Sequence, residues 1–258
     1  MAITKSEGEN MYEYEKFLLL RDLDDKLVEV LKENGAMIVG GAIRSVFTGD
    51  KINDYDIFFK SEEDLQTVYH YLSGLKKEYK DMSMTSNAYS FFRKKNKTRI
   101  QLIRVFIFKD VNDIFGKFDF TVCMGAYDVS HSEFIFGERF FRDNSSKRLV
   151  INLETEYPLN TMLRIRKYLK KGYRITGMEM VKLGLAVNNL KIENHADLQH
   201  HLMGIDTMIL QDFFDQNGEK VDDVILKQTE YNFSEIIDKL NAQVSRYYSD
   251  FLGDDEDY

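Results

Sequence analysis

The sequence predicts an α+β protein, in which a half of mixed strands and helices precedes an all-helical half. Three observations support this fold class. Short apolar runs alternate with helical patterns up to about residue 151. From Pro158 onward the apolar spacing becomes helical and strands largely cease. Pro158 is also the single proline among 258 residues, which leaves room for long unbroken helices.

The change of pattern places a domain boundary near residues 151–157. We expect an α+β domain over 1–151, a helical domain over 152–248 and an acidic tail over 249–258. Runs of like charge such as this tail are typically solvated.

Composition narrows the class of protein further. With 43% hydrophobic residues the chain can build a sizeable core, and a net charge of −8 argues against a dedicated binder of double-stranded nucleic acid. The single cysteine excludes an intramolecular disulfide framework and a Cys-based zinc cluster, and it suits a reducing compartment. No apolar run approaches a membrane span and the first ten residues are polar. We therefore expect a cytoplasmic protein that does not engage a membrane.

The N-terminal part up to residue 77 has clear helix and strand signals. The pattern predicts, in order, a helix over 12–33, a strand over 36–39, a short helix over 42–47, a strand over 54–59 and a helix over 61–77. Asn34-Gly35 is a typical helix end, and Ser61 is a typical N-cap before three acidic residues that suit the helix dipole.

The remaining elements follow the same rules. We predict strands over 89–92, 99–108, 118–128 and 134–136, and helices over 110–115, 158–171, 178–188, 198–214, 221–228 and 233–248. The turn over 93–97 carries three lysines and an arginine, which makes it a candidate nucleic-acid contact or simply a solvated hairpin turn.

Two glycines between a predicted strand and a predicted helix indicate an anion site. Gly40 and Gly41 would let backbone N–H groups approach a bound anion, with the positive end of the helix behind them. Arg44, one turn into the helix, could reach the same anion. Such a glycine pair is also common in tight turns that bind nothing.

Two aspartates on the next strand indicate a cation site. Asp54 and Asp56 lie on one face because strand side chains alternate. Adjacent carboxylates repel unless a cation lies between them, and Mg²⁺ held by one or two carboxylates and substrate phosphates is a common arrangement. Either motif alone could be structural, but in this order they favour a triphosphate site facing a metal site.

These motifs resemble a known superfamily. Gly40-Gly41-Ala-Ile-Arg44 followed by Asp54-Tyr-Asp56 is similar to the signature of the DNA polymerase β-type nucleotidyltransferases, and in particular of class II CCA-adding enzymes and bacterial poly(A) polymerases. Residues 118–127 and 156–168 resemble two further motifs of that branch, in the same order. The resemblance spans residues 37–174.

The resemblance implies an NTP-dependent enzyme with Mg²⁺ or Mn²⁺ as cofactor. It would transfer a nucleoside monophosphate to an acceptor and release pyrophosphate. An RNA 3′ end is the favoured acceptor, and another nucleotide, a protein or a small molecule are the alternatives. By position in the motifs, the metal ligands would be Asp54 and Asp56, and the nucleotide contacts would be Gly40, Gly41, Arg44, Asp119, Arg164 and Lys167. Structural alternatives remain: Asp119 could bond a backbone turn, and Arg164 with Lys167 could form a solvated basic face.

Departures from the family pattern leave a second function open. Gln101 stands where a third acidic residue is usual, and Tyr157 and Asn160 stand where the family has its base-reading Asp and Arg. The alternative is therefore a catalytically weak or inactive nucleotide- or RNA-binding regulatory protein. Cys123, in a predicted apolar strand, is interpreted as a packed thiol rather than a nucleophile.

Overall fold

The protein is described here by a computed structural model. The structure describes residues 3–5, 11–84, 87–152, 155–191 and 201. All of them belong to one compact unit of the chain. The predicted helices over 198–214, 221–228 and 233–248 and the acidic tail lie outside the described residues, apart from residue 201.

Helices and strands alternate through this unit. The helices are α1 (Glu13–Leu20), α2 (Asp25–Glu33), α3 (Gly41–Thr48), α4 (Glu62–Gly74), α5 (Val111–Gly116), α6 (Phe140–Ser145), α7 (Pro158–Leu169) and α8 (Gly177–Asn188). The strands are β1 (Ile3–Lys5), β2 (Met37–Val39), β3 (Asp54–Phe58), β4 (Tyr79–Met84), β5 (Ala88–Arg93), β6 (Arg99–Ile103), β7 (Gly125–Asp128), β8 (Glu133–Gly137), β9 (Arg148–Leu149) and β10 (Arg174–Ile175). The predicted α+β class is confirmed. Among the described helices, none is long and apolar enough to cross a membrane.

One eight-stranded sheet organises the unit, in the order β1-β8-β7-β2-β3-β6-β5-β4. Its neighbours are antiparallel except for β3 and β6, which run parallel. Val39, at the end of β2, pairs with Asp56 near the start of β3. The glycine turn after β2 therefore lies beside the two aspartates of β3.

Alternation along the central strands separates the two faces of the sheet. Ile38, Tyr55 and Ile57 pack on one face, in a core shared with α1, α2, α3 and α4. Met37, Val39 and Phe58 pack on the other face, in a core shared with α5. Because side chains alternate, Asp54 and Asp56 project on the same side as Phe58.

The prediction of one continuous helix over 12–33 is wrong. The structure has two helices, and the second begins after Asp24, whose side chain accepts a hydrogen bond from the Lys26 N–H at 3.1 Å. Buried leucines lie on both sides of this break: Leu19, Leu23, Leu27 and Leu31. The apolar spacing therefore continues across the break and could not reveal it.

The predicted strand over 118–128 is also wrong in its first part. Thr121–Cys123 forms a 3₁₀ turn, and only Gly125–Asp128 is a strand. The Thr121 N–H donates to the Val150 carbonyl at 3.1 Å, so a distant segment takes the place of a sheet neighbour. The predicted strand from Arg99 ends at Ile103, and the sequence analysis did not predict β1, β4, α6, β9 or β10.

The helices that follow the predicted domain boundary pack closely on the preceding segment. Ile165 and Tyr168 of α7 and Leu183 of α8 share a buried cluster with Phe120 and Leu149. Glu179 of α8 is 4% exposed and accepts a hydrogen bond from the Ile151 N–H at 2.9 Å. The boundary near residues 151–157 stays a prediction, while α7 is fixed against the α+β part.

Candidate active site

A cleft opens where β2 ends, β3 begins and α7 passes over them. Its acidic lining residues are Asp54, Asp56 and Asp119, and its basic ones are Arg44, Arg164, Lys167 and Lys171. Gly41 also lines the cleft and follows Gly40. The structure thus brings together the residues that the motifs proposed, and it adds Lys171, which no motif indicated.

The glycine turn needs its first glycine for backbone geometry. Gly40 has φ +83° and ψ −122°, a backbone conformation that residues with a side chain rarely adopt. Its N–H donates to the Gly125 carbonyl at 2.9 Å, and a Cβ at Gly40 would lie 3.0 Å from Cζ of Phe118. Gly41 begins α3, and a Cβ there would meet nothing within 4 Å. The strand, turn and helix predicted around the glycine pair are therefore present, and anion binding there stays a prediction.

Arg44 is held by a carboxylate that the motifs did not include. The Arg44 side chain is 3% exposed, and its Nη1 donates to Asp50 Oδ2 at 2.8 Å. Nη2 donates to Ser45 Oγ at 3.0 Å. Lys171 Nζ lies 4.0 Å from the same Asp50 oxygen, and burial together with Arg44 lowers the pKa of Lys171. Asp50 thus lies between two cations of one cleft wall, a contact that sequence spacing does not encode.

The carboxylate pair lines the same cleft. Burial, and then the neighbouring Asp54, raise the pKa of Asp56 to about 6. Asp54 Oδ1 lies 3.5 Å from Nε of Arg99, its register partner on β6. Crowded carboxylates of this kind fit a divalent cation, because Mg²⁺ and Mn²⁺ bind oxygen ligands and would remove the repulsion.

Gln101 occupies the strand position beside the pair. It is the register partner of Asp56, and its Nε2 lies 3.5 Å from Ser90 Oγ on β5. No group of three or more His, Cys, Asp or Glu side chains suited to a metal occurs in the part of the chain that the structure describes. The candidate protein ligands for a cation in the cleft stay those predicted from the sequence, Asp54 and Asp56, with Gln101 as a neutral neighbour.

Asp119 connects the sheet to α7. It is 7% exposed. Its Oδ1 accepts from Thr161 Oγ1 at 2.7 Å, and its Oδ2 accepts from Arg164 Nη1. Both oxygens are therefore engaged in holding Thr161 and Arg164 in place, and the nucleotide contact of Asp119 stays a prediction. Lys167, one turn beyond Arg164, is exposed and lines the same cleft.

Other sequence hypotheses are placed as follows. Cys123 is buried, its Sγ lies 2.7 Å from Tyr168 Oη, and burial raises the pKa of its thiol, so it is a packed thiol.

Tyr157 and Asn160, at the start of α7, lie outside the cleft lining, and Asn160 is buried. In the basic turn, the Arg93 side chain donates to the Asp22 carbonyl and Lys94 donates to the Lys76 carbonyl, so these two cations anchor the hairpin.

The raised pKa of Asp56 predicts a pH-dependent stability of the metal-free protein. A carboxyl whose pKa is higher in the folded state loses stability as pH rises from its ordinary value of 3.8 through about 6, and the loss is complete above that. In EDTA, Asp56→Asn should therefore melt at a higher temperature than the wild type at pH 8. The difference should shrink toward pH 5. Melting curves at both pH values test this, with exposed Glu29→Gln as the control. A difference that grows toward pH 5 would contradict the prediction.

Solved structures share this fold. A CCA-adding enzyme solved with ATP is 21% identical, with a TM-score of 0.53 over 72% of this chain and 49% of that chain. The Thermotoga maritima CCA-adding enzyme complexed with tRNA is 19% identical, with a TM-score of 0.50 over 73% and 49%. The fold is therefore that of a CCA-adding-type nucleotidyltransferase, and the resemblance drawn from the motifs is confirmed for the fold.

Two sequence comparisons define the family. Residues 11–147 match the model of the Gabija anti-defense 2 family. The Gabija anti-defense 2 protein of Bacillus phage SPbetaL7 is 33% identical over 233 residues, which is 90% of this chain. This chain therefore belongs to the Gabija anti-defense 2 family. It spans 55% of the length of that phage relative.

Proposed function

We propose that this protein transfers a nucleoside monophosphate from an NTP to an acceptor, an RNA 3′ end, and releases pyrophosphate in a reaction that requires Mg²⁺ or Mn²⁺. The observation that carries the proposal is one cleft lined both by a carboxylate pair and by a set of cations. Nucleotidyl transfer needs both, because the triphosphate and its metal must be held together.

The side chains divide this work. Asp54 and Asp56 would hold the metal, which when bound would stabilise negative charge on the transferred phosphoryl group. Arg44 and Lys171, kept side by side by Asp50, would bind the triphosphate beside the N–H groups of the glycine turn. Arg164, oriented by Asp119, and Lys167 would contact the nucleotide from α7.

The family name supports a biological setting for this chemistry. The phage relative is called Gabija anti-defense 2. We propose that nucleotidyl transfer at this cleft counters a Gabija defence system. Co-expression of the wild type and of Asp54→Asn with such a system during phage infection tests this role. Equal protection of the phage by both proteins would separate the anti-defence role from transfer.

The second candidate function is a catalytically weak or inactive nucleotide- or RNA-binding regulatory protein. Two observations favour it: Gln101 is the neutral register partner of Asp56, and Arg99 lies 3.5 Å from Asp54, where a cation would otherwise bind. In this case the cleft would bind an NTP without turnover.

A single experiment distinguishes the two candidates. The purified protein is incubated with each of the four α-labelled NTPs, with and without Mg²⁺ or Mn²⁺, and with RNA acceptors of several sequences. Labelled RNA and released pyrophosphate support transfer. Saturable NTP binding without pyrophosphate in any combination supports the regulatory protein, and Gln101→Glu then tests whether an additional carboxylate restores turnover.

We also predict an NTP preference other than CTP followed by ATP. Tyr157 and Asn160 replace the charged base-reading pair of the CCA-adding branch, and neither lines the cleft. A charged Arg and Asp can read base edges by directed hydrogen bonds, whereas a tyrosine mainly stacks. Competition among the four NTPs at equal concentration measures the preference. Ordered use of CTP and then ATP would contradict the prediction.

A further inference from the structure

Cations are concentrated on one segment of this acidic protein. Residues 158–178 contain six Lys or Arg residues and no Asp or Glu, in a chain of net charge −8. Three of the six, Arg164, Lys167 and Lys171, line the cleft. Arg174 does not, and it lies on β10, which pairs with β9 in a separate two-stranded sheet.

The pairing of β9 with β10 places two arginines directly opposite each other. Arg148 and Arg174 are register partners in this parallel pair, and both are exposed. Partner residues of adjacent strands are about 4.8 Å apart and project on the same face. Like charges in that position destabilise a sheet. The repulsion between Arg148 and Arg174 would destabilise the free protein. An anion bound between the two guanidinium groups would remove this repulsion and explain the arrangement.

A backbone hydrogen bond fixes this pairing. The Arg174 N–H donates to the Lys147 carbonyl at 2.7 Å, which ties the two segments together. The Lys147 ammonium group is engaged elsewhere, because its Nζ lies 4.7 Å from the centre of the ring of Tyr173, which is buried.

The nearby carboxylates are already engaged elsewhere. Asp143 is 1% exposed and is bound by Arg139, and Glu179 is bound by Lys182 and by the Ile151 N–H. Within the described residues, neither arginine of the β9–β10 pair forms an ion pair. The guanidinium forks are therefore available to an external ligand.

We propose that Arg148 and Arg174 form a second anion site, outside the candidate active site, that binds phosphoryl groups. Paired guanidinium groups bind phosphate oxygens through two parallel hydrogen bonds, with a fit that a lysine cannot reproduce. The ligand is a phosphate group, carried either by the backbone of a nucleic-acid strand or by a free polyphosphate. The site does not depend on nucleotidyl transfer at the cleft.

The test compares charge-matched variants of the full chain in EDTA. Arg148→Ala/Arg174→Ala removes the pair, and Lys26→Ala/Lys77→Ala removes the same charge from two exposed lysines elsewhere. Binding of inorganic tripolyphosphate is measured by calorimetry, and binding of short labelled RNA and DNA strands by fluorescence anisotropy over a salt series. We expect the arginine variant to bind at least about tenfold more weakly than the lysine variant. For a strand, losing two phosphate contacts should lower the slope of log affinity against log salt by about 1.4.

The two binding measurements, with tripolyphosphate and with nucleic-acid strands, also identify the source of the phosphate. Loss of strand binding alone assigns a nucleic-acid backbone, and loss of tripolyphosphate binding as well assigns a free polyphosphate. Arg148→Lys/Arg174→Lys keeps the charge but removes the forks, and should recover less than half of the lost affinity. Without ligand, the alanine variant should melt at the wild-type temperature or above, because repulsion is removed. Equal effects of the arginine and lysine variants on all ligands would overturn the proposal.

Discussion

Asp54→Asn should abolish metal-dependent nucleotidyl transfer while leaving the fold intact. The side chain of Asp54 is 36% exposed and lines an open cleft, so the substitution creates no cavity in the core. It removes one of two negative charges from the pair that would hold the divalent cation. Loss of one electrostatic contact to a transition state commonly costs about 10² to 10³ in rate, and a metal ligand should cost at least that much. Asp56→Asn should behave in the same way.

Paired measurements of melting temperature and turnover test this prediction. The control is Asp25→Asn, which makes the same chemical change at an exposed position of α2. Mg²⁺ should raise the melting temperature of the wild type and of the control, and should have little effect on either cleft variant. Turnover that survives in both cleft variants would remove Asp54 and Asp56 from the mechanism. A wild type without turnover would instead favour the regulatory protein.

Gly40→Ala should be among the most destabilising single-methyl changes in the protein. A side chain at φ +83° and ψ −122° is strained by about 1–3 kcal/mol, and the added Cβ would also lie 3.0 Å from the Phe118 ring. For a domain of this size each kcal/mol lowers the melting temperature by roughly 2–4 °C. A drop of several degrees is therefore expected, together with weaker NTP binding.

Gly41→Ala is the matched control for this prediction. The added Cβ meets nothing within 4 Å, and alanine is a better helix former than glycine by about 1 kcal/mol. Its melting temperature should equal or exceed that of the wild type. NTP binding should still weaken if phosphates approach the turn closely, which separates the functional requirement for Gly41 from the structural requirement for Gly40. Equal melting temperatures for the two variants would contradict the assignment.

Local sequence signals were sufficient to predict the secondary structure around the cleft. The strand, turn and helix at Gly40 and Gly41 follow from backbone chemistry that only a few residues can satisfy. The alternation of Asp54 and Asp56 along β3 follows from strand geometry. The Ser61 cap of α4 and Pro158 at the first turn of α7 are local signals of the same kind, and all were predicted correctly.

The electrostatic partners of the charged residues, in contrast, depend on contacts that form in the folded chain. Arg44 forms an ion pair with Asp50, and Asp119 binds Thr161 and Arg164. Arg148 is the strand register partner of Arg174, which carries the same charge. The break between α1 and α2 also escaped prediction, because buried leucines continue across it. Coulomb interactions and hydrogen bonds depend on separation in space, which sequence spacing does not give when the partners come from different elements. For the same reason the raised pKa of Asp56, which is caused by burial and then by Asp54, does not follow from the sequence.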